Sequence, residues 1–207
     1  MALKVTSVLA VGAHPDDIEL GCGGSLCKAI ESGAKVTVVY MTKGELSGDK
    51  NIRTKESEKA LSVLGATSVY FGDFPDANIP NCHESIEFLE RFSTKSNPTV
   101  VMSHSVNDTH QDHRAVAWLS ISAFREVPII LSFESPRSTS AFSPSYFVDI
   151  SDSLDRKWAA LKCLKSQYSK RYMSYESMIN LAKFRGTQVG VKAAEAFEVV
   201  RYLEYKW

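Results

Sequence analysis

The sequence predicts an α/β fold: a mostly parallel sheet with helices on both faces. Two observations carry this. Short apolar, β-rich runs alternate with helical patterns from Ser7 to Phe133, which implies right-handed crossovers. Several of those runs (VVYM, VVM, IILSF) are almost continuously apolar, as strands buried on both faces are.

The elements follow in order. Ser7 to Gly12 reads as a buried strand, and Leu20 to Ser32 as a helix closed by Gly33. Lys35 to Met41 is a valine-rich strand. Arg53 to Leu64 is a helix with Gly65 as its stop. Ser68 to Phe71 is a strand, Glu84 to Thr94 a helix, and Thr99 to Ser103 a strand. Asp112 to Glu126 is a helix and Pro128 to Glu134 a strand. Beyond Phe133 the pattern changes. Tyr146 to Ile150 reads as a strand. Asp152 to Ser166 reads as an amphipathic helix with Leu154, Trp158, Leu161 and Leu164 on one face. Ala193 to Glu204 reads as a C-terminal helix. The expectation is a Rossmann-like three-layer sandwich forming one domain over residues 1–207.

Composition narrows the function. The 207 residues are 44% hydrophobic and 23% charged, ordinary values for a globular chain. Lys plus Arg and Asp plus Glu are each 24, so the formal net charge is zero. No basic excess supports nucleic-acid binding, and no apolar run approaches the ~20 residues of a membrane helix. The stretch from Met1 to Ala13 is shorter than a secretion signal. Four cysteines without a CxxC pair read as free thiols of a reducing cytoplasm.

In open α/β sheets ligands bind at the carboxyl ends of the strands. Two loops there concentrate chemistry. Ala13 to Glu19 (AHPDDIE) packs one imidazole and three carboxylates, and Asn107 to His113 (NDTHQDH) adds two histidines. Three of the five histidines of the chain lie in these two loops. Carboxylates crowded this way repel one another unless a cation offsets them. Imidazole and carboxylate ligands suit Zn²⁺, and also Fe²⁺. With no thiolate in either loop, Zn²⁺ held by two His and one Asp is the first reading. Three protein ligands leave a position open for a water, which becomes a nucleophile as its pKa falls toward ~7.

Ala13–Gly24 (AHPDDIELGCGG) together with His110–His113 (HQDH) resembles the PIG-L/LmbE family of zinc-dependent N-acetyl-sugar deacetylases. Further matching features run along the chain. They include Thr42–Glu45 (TKGE), Arg53-x-x-Glu56, Ala60-x-x-x-Leu64-Gly65, Asp76 after the third strand, Phe147–Ser151 (FVDIS), Arg185-Gly186 and Ala194–Glu198 (AEAFE). Ile18 is a departure, because many members read HPDDE where this chain reads HPDDIE; the role of Glu19 is left open by it.

The resemblance implies three zinc ligands, His14, Asp17 and His113. It implies Asp16 as the general base that takes a proton from the zinc-activated water. His110 would stabilise the tetrahedral oxyanion or protonate the leaving amine. Asp112 would hold His110 or His113 in one tautomer. Arg53 and Asp76 would hold sugar hydroxyls or a substituent. The implied substrate is a small N-acetylamino sugar or its conjugate, with no nucleic-acid partner and no stable membrane insertion.

Other features have blander readings. His104 is a structural histidine or a pocket wall, and His83 a solvent-facing helix start. Gly21-Cys22-Gly23-Gly24 lacks the order of a phosphate loop and reads as close helix packing. Ser135 to Ser145 is a surface loop or a rim over the pocket. Tyr202 to Trp207 is core or a subunit contact, compatible with a homo-oligomer. Two other functions fit less well. One is a metal-dependent hydrolase of a different amide or ester, and the other a non-catalytic sugar- or nucleotide-binding module.

Overall fold

The structure, a computed structural model, describes residues 5–203. Seven strands form one sheet in the order β3-β2-β1-β4-β5-β7-β6. Strands β1 (Ser7–Gly12), β2 (Lys35–Tyr40), β3 (Ser68–Phe71), β4 (Val100–His104) and β5 (Ile129–Phe133) run parallel. Strand β7 (Ala194–Tyr202) is antiparallel to β5 and to β6 (Tyr146–Asp149).

Alternation along β1 builds the layers. Val8 and Ala10 point to one face and Leu9 and Val11 to the other, all fully buried. The first face is covered by α1 (Asp17–Glu31), α2 (Lys50–Leu64) and α5 (Leu154–Leu161), which contribute Leu26, Leu61 and Leu161 to the core. The second is covered by α3 (His83–Ser96) and α4 (Gln111–Ala123), through Leu89, Phe92, Val116 and Leu119. Helix α6 (Tyr175–Val189) packs beside β7. Among the described residues no helix is long and apolar enough to cross a membrane.

The glycines of α1 act through close approach. A Cβ on Gly21 would lie 2.3 Å from the Phe133 ring, and one on Gly24 would lie 2.8 Å from Ile150. Helix α1 therefore sits tightly over the sheet, as the packing reading expects. Its middle is also tied to the far end of the chain. Lys157 Nζ donates to Leu20 O at 2.6 Å, while Glu195 accepts from Gly24 N and Ser25 N at 2.9 and 2.7 Å.

Two expectations need correction, and one helix was missed. The C-terminal segment is the strand β7, not a helix; of the predicted span only Glu204 lies outside the described residues, as do Tyr205, Lys206 and Trp207 of the proposed contact segment. Ala and Glu favour a helix locally, but the open edge of β5 and the buried partners of Glu195 reward an extended chain. Helix α5 ends at Leu161 rather than Ser166. Cys163 N donates to Ala160 O and Leu164 N to Leu161 O, so the chain tightens into short-range turns. Helix α6 was not anticipated, although Ser174 caps its start and Gly190, at φ 76°, its end.

Candidate active site

The loops after β1 and β4 meet at the carboxyl end of the sheet, on the floor of a pocket of about 630 Å³. His14, Asp16, Asp17, Arg53, Asp76, His110 and His113 all line it. Asp112 stands behind, buried.

His14, Asp17 and His113 bring one ligand atom each within 4.8 Å of one another. His14 Nδ1 lies 3.4 Å from Asp17 Oδ2, and His113 Nε2 lies 3.3 Å from Asp17 Oδ1. The far nitrogens of both rings are taken. His14 Nε2 is 3.0 Å from Asp112 Oδ2 and 3.1 Å from Asp76 Oδ1. His113 Nδ1 is 2.9 Å from Asp108 Oδ2. Each ring is thus held by a carboxylate at its back and aims its free nitrogen at Asp17, the arrangement that orients metal-binding histidines.

Here the expectation for Asp112 is corrected. Its carboxylate faces His14, and it meets His110 only through its backbone N–H, which donates to Nδ1 at 3.2 Å. As the residue before His113 on α4, it points about 100° away around the helix, where Ala77 N and Ile79 N also donate to it at 2.7 and 3.2 Å. Asp108 supports His113 instead, and sequence reasoning missed it. Its signal was its place in the Asn107–His113 loop, five residues before His113.

The charges of the floor favour a cation. Burial opposes the His113 imidazolium, but Asp17 and Asp108 outweigh it and hold the pKa up at about 9. Burial opposes a charged His14 as well, yet Asp112, Asp17 and Asp76 raise its pKa well above the usual value. Burial raises Asp17, but His113 and His104 pull it well below the carboxylate range. Two histidines and one carboxylate, backed by three more carboxylates, are a donor set that fits a divalent metal.

Asp16 sits beside this group in a strained backbone, with φ 128°. Its Oδ1 is 3.3 Å from Arg53 Nη2, and its buried Oδ2 has no hydrogen-bond partner. Burial and the neighbouring Asp17 charge raise its pKa, against the pull of Arg53. Arg53 is itself buried. It donates to the Pro15 and Gly44 carbonyls and so pins the Asp16 loop. Gly44, at φ 70°, is required there, because a Cβ would meet Arg53 Nη1 at 2.0 Å.

His110 caps α4. Its Nδ1 accepts from Asp112 N at 3.2 Å, which puts the proton of the neutral ring on Nε2. Burial and the His113 charge lower its pKa, keeping the ring neutral. Asp76 lines the wall, with Oδ2 accepting from Leu46 N at 2.9 Å. His104 is structural and also supports the site. It is buried, stacks on His113 with 3.9 Å between centroids, and holds Nε2 3.1 Å from Asp17 Oδ2. His83 is exposed on its helix. The Ser135–Ser145 segment reaches the site through Pro136 and Arg137, which line the pocket rim. Glu19 lies beneath the floor, fully buried, accepting from Tyr40 Oη at 2.6 Å and Ser57 Oγ at 2.5 Å.

An open α/β sheet with a His/Asp cluster that could hold a metal at its carboxyl end, beside a buried carboxylate, is the kind of site a hydrolase builds. The chain belongs to the PIG-L family, described as GlcNAc-PI de-N-acetylase, whose pattern matches residues 9–124. It is 35% identical to the deacetylase YaiS of Escherichia coli over 173 residues, 80% of this chain and 94% of that one. It is 28% identical to the diacetylchitobiose deacetylase of Thermococcus kodakarensis, over 95% of this chain and 84% of that one. It is also 28% identical to the 4-oxalmesaconate hydratase of Pseudomonas putida, over 91% and 84%. Among solved structures, the N,N'-diacetylchitobiose deacetylase of Pyrococcus horikoshii superposes with a TM-score of 0.84 at 26% identity, covering 95% of this chain and 84% of that one.

Proposed function

We propose that the protein removes the acetyl group from an N-acetylated amino sugar or its conjugate, releasing acetate and a free amine. One observation carries the reading. Asp16, whose Oδ2 accepts no hydrogen bond and has only the Lys170 ammonium near it at 3.7 Å, lines the same pocket as the three converging ligand atoms of His14, Asp17 and His113. The deacetylase relatives support it.

His14, Asp17 and His113 are the residues that would hold the metal, Zn²⁺ first and Fe²⁺ second. Bound there, it supplies Lewis acidity, polarising the acetamide carbonyl and lowering the pKa of a water toward ~7. Asp16 Oδ2 takes the proton of the attacking water, and its raised pKa suits a base that must later return that proton to the leaving amine. Arg53 keeps the other oxygen occupied and the loop fixed. His110 Nε2–H faces the pocket and donates to the oxyanion that develops on the carbonyl. Asp76 and Arg53, both in the pocket lining, are the contacts assigned to sugar hydroxyls. Four free thiols, two of them buried, support a reducing cytoplasm.

The test is acetate release from a panel of N-acetylamino sugars by metal-reconstituted protein, with Asp16→Ala and His113→Ala as controls. Release that disappears in both supports the assignment. Near-normal turnover in either overturns that residue's role. The hydratase relative motivates a second reading, addition of water to an unsaturated acid. Hydration liberates no acetate, so the same assay separates the two.

A further inference from the structure

We propose that the mouth of the pocket binds an anionic substituent of the substrate, phosphate or carboxylate, through Arg137 and Arg171, with Lys170 adding positive charge below them. This rests on the deacetylase reading and deepens it by naming the substrate class.

The three cations line the pocket from two separate segments, one after β5 and one before α6. The carboxylates lining the same pocket are Asp16, Asp17 and Asp76, and all three belong to the floor. Asp17 and Asp76 face histidine rings, and Asp16 faces Arg53 through Oδ1 and Lys170 through Oδ2. Among the described residues Arg137 and Arg171 make no ion pair. Both are exposed. Lys170 Nζ, by contrast, forms an ion pair with Asp16 Oδ2 at 3.7 Å and so reaches the floor, which leaves Arg137 and Arg171 as the unpaired cations of the mouth. The chain as a whole carries no net charge, so this cluster is a local feature and not part of a general basic excess.

The backbones beneath the guanidinium groups are fixed while the side chains are free. Arg137 O accepts from Thr109 N at 2.9 Å and from Thr109 Oγ1 at 3.1 Å, and Arg137 N donates to Ser135 Oγ at 3.0 Å. That ties Arg137 to the loop that carries His110. Arg171 O accepts from Ser177 Oγ at 3.0 Å. Cations converging on a cleft raise the local concentration of anions, and guanidinium groups match phosphate and carboxylate geometry. A sugar whose acetamide reaches the floor would present its far end to this rim.

The test compares kcat/KM for three substrates of metal-reconstituted protein. They are methyl N-acetylglucosaminide (neutral), N-acetylglucosamine 1-phosphate and N-acetylmuramic acid (a carboxylate). Wild type should prefer at least one anionic substrate by about tenfold, and the preferred one identifies phosphate or carboxylate. The preference should shrink toward one in about 1 M salt, where screening acts over ~3 Å, and in Arg137→Gln and Arg171→Gln. No preference in wild type, or a preference untouched in both variants, overturns the proposal and leaves the deacetylase reading standing. A binding arm does not depend on turnover. Calorimetry with glucosamine 1-phosphate and methyl glucosaminide should show the same ratio and the same loss in the variants. If no sugar releases acetate, the deacetylase reading fails, and equal affinities in this arm would sink the rim as well.

Discussion

Asp108 Oδ2 stands 2.9 Å from His113 Nδ1, and this fixes which nitrogen of His113 faces Asp17. A carboxylate can only accept there, so Nδ1 keeps its proton and Nε2 is the nitrogen that would give up its proton to a metal. Asn at this position could donate instead and reverse the tautomer. Asp108→Asn should therefore weaken metal affinity by about 10- to 100-fold. Competition against a chelator measures it directly.

Asp16→Asn separates base from ligand. Asn tolerates positive φ better than most residues, so the strained turn should survive. The free oxygen loses its proton affinity, and kcat should fall by about 10²- to 10⁴-fold. Metal content, measured by atomic absorption, should stay at the wild-type level. A loss of metal in this variant would move Asp16 into the ligand set.

The Lys157–Glu195 pair, 2.6 Å apart and buried, should matter for stability more than for chemistry. Removing one partner strands the other charge inside the fold. Lys157→Met or Glu195→Gln should cost about 3–5 kcal/mol in urea unfolding. The double variant should cost less than the sum of the two.

Glu19 gives a pH signature. Burial pushes its pKa from 4.5 to about 7, against hydrogen bonds from Ser57 and Tyr40. A carboxyl whose pKa is raised by folding binds more protons folded than unfolded between those values. Its contribution is full below the unfolded pKa of 4.5 and is lost as pH rises through about 7. In EDTA-treated protein, stability should fall across this window by on the order of 3 kcal/mol. Glu19→Gln should flatten the fall, as read from chemical unfolding at several pH values. An unchanged slope would show that other groups set it.

Most of the fold was legible because local and global preferences agree in it. Apolar runs such as VVYM and IILSF are strands wherever they sit, and Gly65 ends its helix by adopting φ 93°. Ala194–Glu198 was misread because its helix-forming residues are overruled from afar. Phe197 pairs with Phe133 and with Tyr146, and Glu195 meets Lys157 across 38 positions. The site was legible as a set of loops, since HPDD and HQDH place their side chains by short-range geometry. Which carboxylate backs which histidine was not, because that depends on how α4 is rotated against the loop after β3. The placement of Arg53 needed the fold too. Its guanidinium reaches Pro15 O across 38 residues and Gly44 O across nine.

The position of β7 between β5 and β6 has a consequence for how the chain comes together during synthesis. β6 is made earlier, but its neighbour in the sheet is β7, so it has nothing to join until β7 emerges. The same late strand delivers Glu195 to α1 and Glu198 to Ser105 and Asn107, at the foot of the His110 loop. A growing chain therefore holds the first five strands while one wall of its pocket still lacks support.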